Sequence, residues 1–186
     1  MDKCFVPSNV LNEKAQSRGL DSSQIVQYGL PIRKGFWDKQ GNGDVKPQMS
    51  FMRVFSGGKH SQLDSNKDAL RSELGLDKNL PTVLIVGGGD GMGGIEDIAM
   101  ALGNKLGQSS TTPAYQMVVV CGKNQNAQAN LSNKKWGPGV KVSVQGFVNN
   151  MDEWMEASDT LVTKAGPGTI AEASICGLPC MLFAYL

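Results

Sequence analysis

From residue 82 onward, short apolar runs alternate with helical stretches, and that alternation leaves few folds open. The runs are 81–86, 116–120, 140–144, 159–162 and 180–186. Runs that are apolar almost throughout suit strands buried on both faces, which is the habit of parallel strands. Between them, 95–106, 124–131, 151–158 and 170–176 read as helices, with Ile95, Ile98, Leu102 and Leu106 at helical spacing. The alternation predicts an α/β fold: a Rossmann-like parallel sheet with helices on both faces. Ligands of such sheets bind beyond the carboxyl ends of the strands. The loops 87–94, 121–124, 145–150 and 164–169 fall at that edge.

Thr163–Glu172, TKAGPGTIAE, is the stretch richest in chemistry. It joins a buried strand to a helix through a turn without bulky side chains. Backbone N–H groups of Gly166, Pro167's neighbour Gly168, Thr169 and Ile170 can therefore approach a ligand closely. They sit at a helix N-terminus, where partial positive charge favours an anion. Lys164 adds a full positive charge, and Thr169 adds a hydroxyl that is expected to donate to the anion or cap the helix. Glu172, one turn on, can accept two hydrogen bonds from a vicinal diol such as a ribose. Phosphate and diol together describe a nucleotide.

A second glycine loop, GGGDGMGG over 87–94, contains Gly89, Gly91 and Gly94 in G-x-G-x-x-G spacing. A dinucleotide site would also want an acid at the end of the next strand to hold the adenosine ribose. That strand runs into Cys121-Gly122-Lys123, so the acid is missing. A dinucleotide-dependent oxidoreductase half stays open as the alternative, beside a non-catalytic truncated product. A glycine loop pressed against a diphosphate sugar also fits.

The rest of the chain is less regular. Residues 1–33 read as a short strand, a helix from Val10 to Arg18 capped by Ser8 or Asn9, and a second strand at 25–28. Arg33 follows, either a solvated arginine or a diphosphate contact at a cleft mouth. Residues 34–66 are polar and glycine-rich around a small apolar piece, Phe51–Phe55, and read as a flexible insertion. His60, the sole histidine, lies there, without the rigid scaffold a catalytic histidine needs. A helix is expected from residue 67, stopped by Gly75. Net charge of +1 gives no bulk attraction to nucleic acid. Cys4, Cys121, Cys176 and Cys180 lack metal or redox spacing and read as buried free thiols. A parallel strand at 180–186, with nothing after it to cover its faces, is expected of a piece of a longer protein.

Taken in order, Tyr28–Arg33 (YGLPIR), GGGDGMGGIE, Cys121–Asn124, Gly146-Phe147-Val148 and TKAGPGTIAE with Gly177-Leu178-Pro179 resemble the plant monogalactosyldiacylglycerol synthases of glycosyltransferase family 28. More distantly they resemble the bacterial N-acetylglucosaminyltransferase that makes the peptidoglycan lipid precursor. The resemblance covers residues 1–37 and about 67–186. It implies the C-terminal half of a GT-B glycosyltransferase, truncated. Residues 1–33 would be the tail of an N-terminal acceptor domain and linker, and 67–186 an incomplete nucleotide-sugar-binding domain. The implied reaction is metal- and cofactor-independent transfer of galactose from UDP-galactose to diacylglycerol, with inversion.

By the same resemblance, Gly166–Ile170 cradle the diphosphate, Glu172 lies near the ribose, Gly146, Phe147 and Val148 near uracil, and Arg33 near the phosphates. Gly89, Gly91 and Met92 face the interdomain cleft. The implied location is the chloroplast envelope, with peripheral membrane contact. An inverting transfer needs a base at the acceptor hydroxyl. This chain supplies none, so it is expected to bind the donor without catalysing transfer.

Overall fold

The computed structural model describes residues 2–37, 62–87 and 94–184, with the side chains of 62–65 and 184 excepted. His60, the Phe51–Phe55 piece and Gly89, Gly91 and Met92 lie outside the described residues.

Two sheets form. The smaller pairs β1 (Cys4–Val6) with β2 (Ile25–Gln27) in parallel, joined through helix α1 (Asn9–Ser17). Ser8 is the α1 N-cap, its hydroxyl accepting from the Leu11 N–H, so of the two candidates Ser8 holds. A single 3₁₀ turn, Lys34–Phe36, follows.

The larger sheet has five parallel strands: β3 (Thr82–Val86), β4 (Tyr115–Val120), β5 (Val140–Gln145), β6 (Thr160–Lys164) and β7 (Cys180–Ala184). Their spatial order is β5-β4-β3-β6-β7. The chain winds outward from β3 to β5, then returns to place β6 against the other side of β3. The topological switch point therefore lies between β3 and β6, and a ligand crevice is expected beyond their carboxyl ends.

Period-two alternation sorts the strand residues between two cores. Leu84, Val86, Val118, Val120 and Leu161 point to one face, against α5 (Met151–Ala157), α6 (Pro167–Ile175) and the partly buried Leu70 and Leu74 of α2 (Gln62–Glu73). Ile85, Met117, Val119 and Val162 point to the other, against α3 (Ile95–Gly107) and α4 (Gln125–Asn133). The α/β sheet with helices on both faces is thus as expected.

Two details differ from expectation. Helix α2 begins at Gln62, five residues before the expected start, so the polar stretch ends in a helix rather than beside one. The thiols also differ: only Cys121 is buried, Cys4 and Cys176 are half-buried, and Cys180 is exposed. Cys180 opens an edge strand, which has a neighbour on one side only. β7 also exposes Met181 and Leu182.

Two contacts anchor the helices. Arg71 of α2 is buried and donates to the carbonyls of Ala157 and Lys78 and to the Asp159 carboxylate. Gly103 of α3 meets the Trp136 ring: an added Cβ would fall 2.2 Å from Trp136 Cζ3. Phe36 is 1% exposed and packs into the first core, so the segment carrying Arg33 is pinned to the large sheet. Among the described residues no helix is long and apolar enough to cross a membrane.

Candidate functional site

A cleft of about 370 Å³ opens at the switch point. Val86 and Val120 floor it at the ends of β3 and β4. Phe147 and Val148, from the loop after β5, form one wall with Met151 of α5. Gly168, Thr169 and Glu172 form the opposite wall, on one face of α6, since residues four apart in a helix stack above one another. Arg33 closes the mouth.

Helix α6 starts earlier than the sequence suggests. Pro167 takes the first helical position, where its missing N–H costs nothing. The N-cap is Gly166, not Thr169, and it offers no side-chain acceptor. Thr169 sits in the third helical position and does not cap. The first-turn N–H groups are therefore left for water or an anion. Gly168 leaves room as well, because nothing lies within 4 Å of the position a Cβ would take.

The sequence candidates fall into three groups. Arg33, Phe147, Val148, Gly168, Thr169 and Glu172 meet in the cleft. Lys164, Gly166, Pro167 and Ile170 lie on the same β6–α6 segment but are not lining residues. Lys164 ends β6 after an irregularity in its pairing with β7. Gly146 faces α4: an added Cβ would fall 2.9 Å from Gln128 Oε1. Gly89, Gly91 and Met92 are outside the described residues. Sequence reasoning missed Gly122 and Met151 as lining residues. The Gly122 signal was available, since the loop after β4 was already placed at this edge. Met151 offered none, because an apolar residue opening an amphipathic helix reads as core.

The largest departure concerns Glu172. It is 4% exposed, and its carboxylate is taken by Arg33. Arg33 Nε donates to Oε1 at 2.7 Å, the Arg33 backbone N–H donates to the same oxygen at 3.3 Å, and Nη2 donates to Oε2. The guanidinium also lies 5.6 Å from the Phe36 ring centre. The expected free diol acceptor is thus half of an ion pair, and the expected phosphate cation is the other half. Charge neutralisation explains both: a nearly buried carboxylate needs a partner, and Arg33 is the cation in reach.

A second hollow, about 480 Å³, lies at the opposite edge beside Asp77, Gln116, Lys141 and Ser143. Its polar groups already satisfy one another. Lys141 pairs with Asp77 at 2.8 Å, and Gln116 bonds the Asp77 backbone and Thr82 Oγ1. β4 runs into Cys121, a buried thiol that burial and the nearby Glu96 charge push up to about 11. The residues that follow β4, Cys121-Gly122-Lys123, include no acid of the kind that holds a dinucleotide's adenosine ribose, which weighs against the oxidoreductase alternative.

Comparison with known proteins bears on the family and the fold. Residues 82–186 match the glycosyltransferase family 28 C-terminal domain. The chain is 41% identical over 187 residues to Monogalactosyldiacylglycerol synthase 3, chloroplastic, of Arabidopsis thaliana, covering 100% of this chain and 35% of that protein. It is 42% identical over 185 residues to Monogalactosyldiacylglycerol synthase, chloroplastic, of Spinacia oleracea, covering 99% and 30%. The chain thus spans about a third of the length of the curated relatives it matches. Among solved structures, WaaG, a glycosyltransferase involved in lipopolysaccharide biosynthesis, superposes with a TM-score of 0.51 at 16% identity, over 96% of this chain and 43% of that one. That likeness carries the fold alone: a GT-B-like parallel sheet flanked by helices, as expected. With a matching domain model over 82–186 and a cleft at the switch point of its sheet, the chain belongs to glycosyltransferase family 28.

Proposed function

We propose that this chain supplies the sugar-nucleotide-binding part of a galactosyltransferase that moves galactose from UDP-galactose to diacylglycerol, making monogalactosyldiacylglycerol with inversion. The observation that carries the reading is the cleft itself. An aromatic face, a helix N-terminus without a side-chain cap and a carboxylate line one cavity, groups suited to a base, a diphosphate and a ribose respectively.

In this reading uracil lies on Phe147 and Val148. The diphosphate meets the N–H groups of Gly168 and Thr169 at the start of α6, with Gly166 and Pro167 shaping the turn and the Ile170 N–H closing the first helical turn on the Gly166 carbonyl. Lys164, at the end of β6, adds long-range positive charge. Glu172 receives the ribose hydroxyls. Transfer breaks the bond between the anomeric carbon and the β-phosphate oxygen, leaving UDP with an extra negative charge. A prepositioned helix N-terminus and cations stabilise that charge without rearranging during the step. The acceptor hydroxyl and its base come from outside this chain, so the chain alone binds donor and does not transfer galactose. The names of the relatives support a chloroplast location. We place the full-length protein at the chloroplast envelope, in peripheral contact with the membrane that holds its lipid acceptor.

Titration calorimetry of the 186-residue chain with UDP and with NADH tests the reading. UDP binding that weakens in Lys164→Ala and Glu172→Ala is expected. Binding of NADH with UDP ignored overturns it.

A further inference from the structure

We propose that Arg33 and Glu172 form an exchangeable latch: a ribose diol is held by Glu172 only after the Arg33 guanidinium lets go, and the freed guanidinium moves to the diphosphate. This rests on the reading of the cleft as a sugar-nucleotide site and adds how that site changes on filling.

The argument begins with acceptor sites. A carboxylate offers about four, two on each oxygen. Glu172 Oε1 already accepts from Arg33 Nε and from the Arg33 backbone N–H, and Oε2 accepts from Nη2. One site is left, on Oε2. A vicinal diol donating one hydrogen bond to each oxygen needs a site on Oε1 as well. The Nε bond is the one that can open, because the backbone N–H is fixed by the turn that buries Phe36.

The two partners differ in freedom. The Glu172 side chain is 5% exposed and held in α6, while the Arg33 side chain is 46% exposed at the cleft mouth. Exchange therefore moves the arginine and leaves the acid in place. The distance suits it. Glu172 lies five residues beyond Pro167, so their Cα atoms are about 7.5 Å apart along the helix axis, and the Glu172 side chain leans back toward the helix start, within one arginine side chain's swing. A diphosphate there offers the guanidinium a bidentate anion in place of the one it gave up.

A ligand with a ribose and no phosphate breaks the latch without giving Arg33 a new anion. A ligand with both completes the exchange. Arg33 thus makes the cleft discriminate UDP from uridine, because only a diphosphate gives the released guanidinium a new anion.

Calorimetry with uridine and with UDP on the full chain tests this, in wild type, Arg33→Ala and Arg33→Lys. We expect Arg33→Ala to bind uridine at least as tightly as wild type and UDP about tenfold or more weakly, collapsing the preference for UDP. Arg33→Lys, which keeps the charge without the fork, is expected between the two and covers the case in which the alanine variant does not fold. Equal weakening of both ligands, or loss of uridine binding alone, means that Arg33 merely props the site and overturns the latch. Wild-type chain that ignores UDP removes the donor-site reading itself; wild type that binds UDP with an unchanged preference in both variants removes the latch only.

Discussion

Arg33 and Glu172, 139 residues apart in the chain, meet through three hydrogen bonds across the mouth of the cleft. The contact ties the segment after the small sheet to the helix that bears the uncapped N-terminus. Anything that moves one end of it is felt at the other.

Phe36 holds that segment down. Truncation to alanine removes a ring that is 1% exposed in the main core, a change that costs about 3–5 kcal/mol. Urea unfolding of Phe36→Ala should show a midpoint lowered accordingly, together with weaker UDP binding because Arg33 loses its anchor. An unchanged midpoint would mean that the segment is not docked.

Gly168 separates occupancy from stability. It lies in the first turn of α6 with open space where a side chain would project. Gly168→Leu should keep or slightly raise the melting temperature, since glycine is a poor helix residue by up to about 1 kcal/mol. It should abolish UDP binding by filling the cleft. Retained binding in that variant would place the ligand elsewhere.

Phe147 is 61% exposed yet lines the cleft. Phe147→Ala should leave stability within about 0.5 kcal/mol. Stacking of a base on an aromatic ring contributes about 1–3 kcal/mol, so UDP should bind roughly tenfold more weakly. A variant that binds as wild type does would take the base off this wall.

Asp159 sets a pH limit on stability. Burial raises its pKa, but the Lys67 ammonium, the Thr82 N–H and the Arg71 charge outweigh that and hold it below 3.8. A carboxylate depressed on folding adds stability that is full above the ordinary value and is lost as pH falls through the folded one. Wild type should therefore lose stability below about pH 4 more steeply than Asp159→Asn. At pH 7 the variant should be less stable by about 1–2 kcal/mol, less than for a fully buried pair because the Asp159 side chain is 43% exposed. Denaturant curves at pH 7 and pH 3 decide it; parallel pH profiles would remove Asp159 from the account.

The thiols should divide by reactivity. Cys121 is buried and its pKa is pushed up to about 11, whereas Cys180 is exposed, with a more modest rise from partial burial. The thiolate is the reacting form. Iodoacetamide at pH 8, followed by peptide mass spectrometry, should label Cys180 while sparing Cys121 until denaturant is added.

Much of this molecule was legible in its residues taken alone. Apolar runs at 82–86, 116–120 and 160–162 can satisfy only strands buried on both sides, and the helices between them force those strands parallel. The glycine-rich turn at 164–169 could be placed at the ligand edge because that edge follows from strand direction. Periodicity and backbone stereochemistry are local, so they survive reading one residue after another. What each functional side chain touches is not local. Glu172 and Arg33 both looked like free ligand groups, and folding made them partners: a carboxylate carried inward on α6 is stable only beside a cation, and a buried Phe36 brought one there. Strand order was hidden for the same reason, since whether β6 joins β5 or β3 depends on which faces remain uncovered once the other strands have packed.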